Sequence, residues 1–477
     1  MVTLLTLPQE LIAHIVSTLH ERTPRTANGP VPNAERREPP NRLALSRLSK
    51  TCRRLRNFGQ VELFKSIKCH GNLPKAIQLV RTLIARPELG ARVTEITLSD
   101  LEVERKQRWP RKVVSGWVVT EEDAKVLNEA LRRFNVRSLT NEAGETVWDG
   151  ALLVFHAVSK AQAPGYLTFE HGALAALAII YSPNVAHVAL HAHTWTLPHF
   201  VTPTGTFDNL AEITWEPGPH GESTTLDDSM GWLFSAAPNL KRFYAFMLSN
   251  VEGGCSHEGV TDVVVAYSSL DSDCFSTIVK MFPNMTEFTY TADTPPMWSS
   301  YTEATPSEMA DALLLLKDKL TSLTLNWEQS PAAQESEWDQ DEVSVSKLSQ
   351  MVALRHLSIT ASDVIRDESD SDSETKSEDD DEDEDENGHV KENKVKVVKP
   401  VKESPHANFL RSIMAPNVET LDLAGIPREF SMLPFADIAA TSFPKLKTIH
   451  LGYYCENLRE DVAVVKAYFK ERGISIQ

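Results

Sequence analysis

Residues 238–246, PNLKRFYAF, and residues 283–290, PNMTEFTY, carry one phrase: an apolar residue, two polar, an apolar, a polar and an apolar, entered through Pro-Asn. In the first the apolar positions are Leu240, Phe243 and Ala245; in the second they are Met285, Phe288 and Tyr290. Six more copies stand at Val185/Val188/Leu190, Leu210/Ile213/Trp215, Leu320/Leu323/Leu325, Leu354/Leu357/Ile359, Val418/Leu421/Leu423 and Leu446/Ile449/Leu451. Earlier copies at Phe64/Ile67/Cys69 and Val93/Ile96/Leu98 bring the number to ten. In a strand alternate side chains face opposite ways, so the fourth and sixth positions of each copy point inward and the third, fifth and seventh outward.

From Val185 onward the steps between first residues are 25, 30, 45, 35, 34, 64 and 28. That spacing brackets the period of leucine-rich repeats and overshoots wherever a loop is inserted. Apolar stretches of helical length precede most copies, among them GALAALAIIYSP, DDSMGWLFSAAP, CFSTIVKMFP and SEMADALLLLKDK, and Pro or a polar pair stops each one. The unit is therefore helix, stop, strand. Burying three apolar side chains contributes roughly 5–9 kcal/mol, whereas ordering a repeat of such length costs on the order of 1–2 kcal/mol per residue. A lone unit does not fold, and the copies must stack. The expected fold class is α/β: a leucine-rich-repeat-like, right-handed solenoid over residues 63–477, a horseshoe with a parallel sheet on its concave face.

The formal charge of −18 is concentrated in one place. Residues 367–386 hold 14 Asp or Glu against one Lys, and the rest of the chain carries −5. A mildly acidic folded part gives no support for a nucleic-acid-binding surface. Five cysteines, Cys52, Cys69, Cys255, Cys274 and Cys455, are scattered and never spaced C-x-x-C, so neither a disulfide framework nor a zinc ribbon is expected. Reduced thiols fit a cytoplasmic or nuclear protein. No signal peptide is expected at the N-terminus, where Glu10 interrupts the apolar run, and no apolar run reaches the length of a membrane span.

Residues 6–19, TLPQELIAHIVSTL, read as an amphipathic helix with Thr6 as cap, Pro8 in the first turn and Leu11, Ile15 and Leu19 recurring every four residues, widened by Ile12 and Val16. A polar, Pro-rich loop follows over residues 21–41. Helix then resumes with Leu45, Leu48, Cys52 and Leu55 in step, and Ser49 is a candidate cap within it. LPxEL with an Ile four residues after its second Leu, then LSxxC-R-R-L-R, resembles the F-box, in the divergent form of fungal F-box proteins with leucine-rich-repeat-like C-terminal domains. The resemblance implies a three-helix domain over residues 1–62 that binds a Skp-family adaptor of a cullin-RING ubiquitin ligase, leaving the solenoid to hold the protein substrate. By position the adaptor contacts fall to Leu7, Pro8, Leu11, Ile15, Leu48, Cys52 and Leu55. The chain departs from the family in its longer loop after the first helix and in having Cys52 where an aromatic is often found. The alternative for these helices is a plain cap on the first repeat, which solenoid ends require.

The acidic run sits in an insert over about residues 364–405 that also holds the lysines of KENKVKVVKPVK. Too charged and too poor in apolar residues to fold, it reads as a solvated linker or as a regulated segment, with Ser371 and Ser377 each three residues before an acid. His187, His191 and His193 share one face of a strand, as ligands or as ordinary surface histidines; Cys255 and His257 fall in a Gly-rich loop that offers a nucleophile no rigid support. None of the common nucleotide, protease or hydrolase motifs occurs, and neither catalysis, a metal nor a cofactor is expected. The expected substrate contacts are outward positions of the phrase: Arg242, Tyr244 and Phe246 first, then Glu212, Thr214, Glu216, Glu287, Asn326, His356, Asp422 and His450. The alternative function is a repeat scaffold that binds proteins with no ligase link.

Overall fold

Because the side-chain period of a strand is two, pairing the repeated phrases in register lines up all their inward residues at once. A computed structural model of the chain, describing residues 7–19, 25–26, 29–30, 40–69, 73–98, 121–134, 174–191, 206–217, 224–226, 230–292, 303–327, 345–360, 413–424, 432–451 and 462–477, has this arrangement. Twelve strands form one sheet: β1 (Ser66–Cys69), β2 (Glu95–Leu98), β3 (His187–His191), β4 (Glu212–Glu216), β5 (Arg242–Phe246), β6 (Asp262–Ser268), β7 (Glu287–Ala292), β8 (Ser322–Asn326), β9 (His356–Thr360), β10 (Thr420–Ala424), β11 (Thr448–Leu451) and β12 (Ser475–Ile476). Each pairs in parallel with its neighbours in chain order. The fourth position of the phrase makes an unbroken row, Ile67, Ile96, Val188, Ile213, Phe243, Val263, Phe288, Leu323, Leu357, Leu421, Ile449 and Ile476. The fold is α/β, a large parallel sheet with helices between its strands.

The Pro-Asn that introduces the phrase has a structural task. Asn184 Nδ2 donates to the carbonyl of Ala91 at 2.8 Å, Asn239 Nδ2 to that of Asp208 at 2.9 Å and Asn284 Nδ2 to that of Glu258 at 3.0 Å. Asn417 Nδ2 donates to the carbonyl of Val352 in the same way. Each amide thus satisfies a backbone acceptor one turn back along the chain, where a carbonyl left unpaired would be unfavourable.

Helices fill one side of the sheet. Ser272–Met281 starts at Asp271, whose carboxylate accepts from Cys274 N, and Pro306–Leu313 starts with a capping box between Thr305 and Glu308. A single apolar core runs from Ile67 to Ile474 behind the strands. Aromatic rings fill its middle: Phe234, Phe243 and Phe282 stand 5.3–6.1 Å apart between centroids, and Phe275 meets Phe288 and Tyr290 at 5.7 and 5.4 Å. The last helix, Val462–Glu471, closes the end with Val465 and Phe469 buried.

Two sequence expectations change. Strand β6 was not among the expected copies, and the 45-residue step from Leu240 to Met285 is really two steps, split at Val260. Nor is every unit helix, stop, strand. Between β5 and β6 the described chain contains no helix; it leaves β5 through Met247 at φ 53°, and Leu248–Val251 pairs with Thr224–Leu226 as a separate two-stranded sheet.

At the N-terminus, α1 (Gln9–Thr18), α2 (Pro40–Thr51) and α3 (Arg53–Lys65) bury Ile12, Val16, Leu45 and Leu55 in a small core separate from the main one. The break between α2 and α3 falls at Cys52, whose Sγ accepts from Leu55 N at 3.5 Å; Ser49, the expected cap, instead donates to the carbonyl of Ser46 at 2.7 Å. Helix α3 runs directly into β1 with no residue between them. Thr6, the 99–120 and 135–173 stretches and the acidic insert lie outside the described residues. No helix among the described residues is long and apolar enough to cross a membrane.

Candidate functional site

Two surfaces present the residues singled out in the sequence. The first is on α1. Its sequence reads as one apolar stripe of Leu11, Ile15 and Leu19 widened by Ile12 and Val16, with Leu11 and Ile15 as adaptor contacts; Ile12 and Val16 are the buried pair, and Leu11 and Ile15 are 49% and 41% exposed. A helix advances 100° per residue, so Leu11 and Ile15 share a face one step round from the Ile12–Val16 stripe, and exposed Pro8 precedes them by one turn. Arg54 of the CRRLR run donates through Nη2 to the carbonyl of Leu7 at 2.8 Å, tying the start of α1 to α3. The remaining expected adaptor contacts lie elsewhere: Leu55 is buried, and Leu7, Leu48 and Cys52 are half-buried against that same small core. Leu43 on α2, not anticipated from the sequence, is 45% exposed.

The second surface is the face of the sheet opposite the main core. Register sets His187, Glu212, Arg242, Asp262, Glu287 and Ser322 side by side on β3 to β8, one residue per strand. Arg242 Nη1 lies 3.2 Å from Glu212 Oε2, and His187 Nδ1 lies 3.8 Å from the same oxygen. In the next row Tyr244 donates its hydroxyl to Asp262 Oδ2 at 3.3 Å. Burial, reinforced by the charge of Asp262, pushes the Tyr244 phenol upward; burial, with the negative charge of Glu287 second, pushes the Asp262 carboxyl up.

Exposure divides the expected substrate contacts. Arg242, Glu287 and His356 are open to solvent, and Asn326, Asp422 and His450 are half-buried. Glu212, Thr214, Glu216, Tyr244 and Phe246 were expected to be outward and accessible, and all five are buried. The reason for the aromatic pair is β6. Val264 stands in register with Tyr244 and Ala266 with Phe246, and the four side chains make a small apolar cluster of their own. Asp262, which completes the polar row, went unanticipated for the same cause; the signal was Val260, Val263 and Val265 at the spacing of the phrase. Asp422 meets His450 at 3.8 Å; burial raises its carboxyl, opposed by His450 and His356.

Of the other candidates, His187 faces Glu212, and the side chain of His191 and all of His193 lie outside the described residues. His257 is buried: its Nε2 donates to the carbonyl of Ala237 at 2.9 Å and its Nδ1 accepts from Gly259 N at 3.1 Å. With both ring nitrogens held by backbone, the imidazole braces the loop, and a Cβ on Gly259 would stand 3.0 Å from the Leu240 carbonyl. Among the described residues no three His, Cys, Asp or Glu side chains are grouped to hold a metal, and Cys52, Cys69, Cys255 and Cys274 form no disulfide.

No family model matches the chain, and no curated protein matches it. Among solved structures, a Bacteroides fragilis protein from a structural genomics programme is similar at 11% identity with a TM-score of 0.29, over 62% of this chain and 66% of that one, just under two thirds of its length.

Proposed function

We propose that the chain is a substrate-recruiting subunit of a cullin-RING ubiquitin ligase, whose N-terminal helices bind a Skp-family adaptor while the sheet holds a target protein. In this reading the sheet is the concave wall of a right-handed, leucine-rich-repeat-like horseshoe. The observation that carries the proposal is the open face of α1. Leu11 and Ile15 are exposed on a helix whose other side already closes a core, and large apolar side chains placed so are the ordinary anchors of helix-mediated contacts. Pro8 precedes them at the helix start, as in the F-box phrase.

The activity follows from proximity. Holding a target and the ubiquitin donor on one assembly raises the effective concentration of one at the other, with no bond made or broken by this chain's own side chains. The direct passage of α3 into β1 favours a fixed distance between the two surfaces.

Leu11→Asp with Ile15→Asp tests the reading. The full chain is expected to capture a purified Skp-family adaptor, and the double variant to lose capture with an unchanged circular dichroism spectrum. A parent chain that captures no adaptor overturns the ligase assignment and leaves the scaffold reading. That alternative draws support from Leu55, which packs into the chain's own small core although it was expected to meet the adaptor.

A further inference from the structure

The row of side chains across β4 to β7 reads Glu212, Arg242, Asp262, Glu287, with neighbouring strands about 4.8 Å apart. Its charges do not balance. Arg242 is engaged by Glu212 at 3.2 Å; Asp262 accepts the Tyr244 hydroxyl and feels the charge of Arg242 on the neighbouring strand, but no Lys, Arg or His among the described residues comes within ion-pair distance of Asp262 or Glu287. Asp262 and Glu287 are register partners on the same face of adjacent parallel strands. Like charges set directly opposite each other disfavour the sheet that carries them, and the partial burial of Asp262 reduces the screening that water would provide.

We propose that this part of the sheet is a docking surface for a basic segment of a partner protein, with one Lys or Arg side chain seated between Asp262 and Glu287. The occupant follows from charge and geometry. Two carboxylates on adjacent strands supply too few ligands for a hard divalent ion, which takes six or more oxygens, and no third metal-binding side chain joins them among the described residues. The sign of the charge repels phosphate, so a nucleic acid or an anionic lipid surface does not fit. A guanidinium or ammonium from another chain fits both oxygens and supplies the missing cation. Arg242, half exposed one strand away, offers the same partner a place for an acidic neighbour, so an acid beside a base is matched in order across β5 to β7. The proposal takes up the reading that the sheet face holds the target and names the kind of segment it holds; it does not depend on the ligase link.

The test uses the full chain, the double variant Asp262→Asn/Glu287→Gln, and two labelled twelve-residue peptides, one alternating Lys with Ala and one alternating Glu with Ala, followed by fluorescence anisotropy at low salt. The acidic run of residues 367–386 attracts the Lys peptide in both proteins, so the comparison is between the proteins. The variant is expected to bind the Lys peptide about fivefold more weakly, the effect of losing a partly exposed ion pair, and the Glu peptide no more weakly than the parent does. Free of any peptide, Glu287→Gln is expected to melt at a higher temperature than the parent, because it removes a repulsion that the charge of Arg242 and the Tyr244 hydroxyl offset only in part. Equal binding of the Lys peptide by both proteins overturns the proposal, and so does a melting temperature that stays the same or falls. Adaptor capture is measured separately, so failure here leaves that result standing and the reverse also holds.

Discussion

The N-terminal helices and the twelve-stranded sheet bury apolar side chains by the same physics but finish the task to different degrees. Behind the sheet, every inward residue from Ile96 to Ile449 in the fourth row is buried. On α1, Ile12 and Val16 are fully buried while Leu11 and Ile15, one step round the helix, stay open. Apolar area withdrawn from water stabilises the chain at roughly 25 cal/mol per Å², so the fourth row contributes in full to folding, whereas Leu11 and Ile15 leave part of theirs unused in the free chain. What the difference teaches is where a substitution should be felt in stability: strongly in the buried rows behind the sheet, and little at the open face of α1.

The largest effect expected is in the aromatic centre. Phe243 is fully buried among Phe234 and Phe282, and Phe243→Ala removes a ring from a close-packed group that cannot collapse around the loss. Chemical denaturation should show about 3–5 kcal/mol less stability, whereas Leu11→Asp should change it by no more than about 0.5 kcal/mol. Comparable losses from both would erase the distinction between the regions.

How much of this was readable beforehand follows the same division. The parallel register was legible because apolar residues at the fourth and sixth positions repeat wherever the phrase occurs, and a period of two leaves a strand only one way to face the core. Strand β6 was hidden for the opposite reason. Val263, Val264, Val265 and Ala266 are apolar on both faces, so the alternation that marks the other strands is absent, and Val264 and Ala266 face Tyr244 and Phe246 away from the main core. That one omission concealed both the burial of the two aromatics and the carboxylate of Asp262. On α1 five apolar residues spread over about 140° of the helix circumference, and sequence alone does not say which edge of so wide a stripe turns inward; packing against Leu45 and Leu55 decides for Ile12 and Val16.

A smaller effect is expected from the side-chain ladder that joins the turns of the sheet region. Asn284 donates to the Glu258 carbonyl at 3.0 Å and accepts from Lys319 Nζ at 2.8 Å. Asn284→Ala deletes both bonds and leaves the Glu258 carbonyl to water, for a loss of about 1 kcal/mol in the same denaturation experiment. Should the loss reach that of Phe243→Ala, inter-turn polar contacts rather than core packing would be what holds the sheet region together.

The smallest effect appears only on acidification and concerns His257, the one buried histidine among the described residues. Burial lowers its pKa below the ordinary value, against the opposing pull of its bond to the Ala237 carbonyl. The unfolded chain therefore takes up a proton at this ring, near pH 6.5, before the folded one does. The stability linked to the neutral ring is fully present above that pH and is lost as the pH falls toward the lowered folded value. His257→Asn cannot titrate there and loses the Nε2 bond at every pH. The parent should therefore be more stable than the variant at pH 7, and its advantage should shrink by pH 5. An advantage that holds constant between the two would mean that the ring does not change its charge on unfolding in this range, and one that grows would mean that His257 is charged in the fold. Either result would move this loop from the neutral, packed side of the comparison to the solvated side, where the open face of α1 already lies.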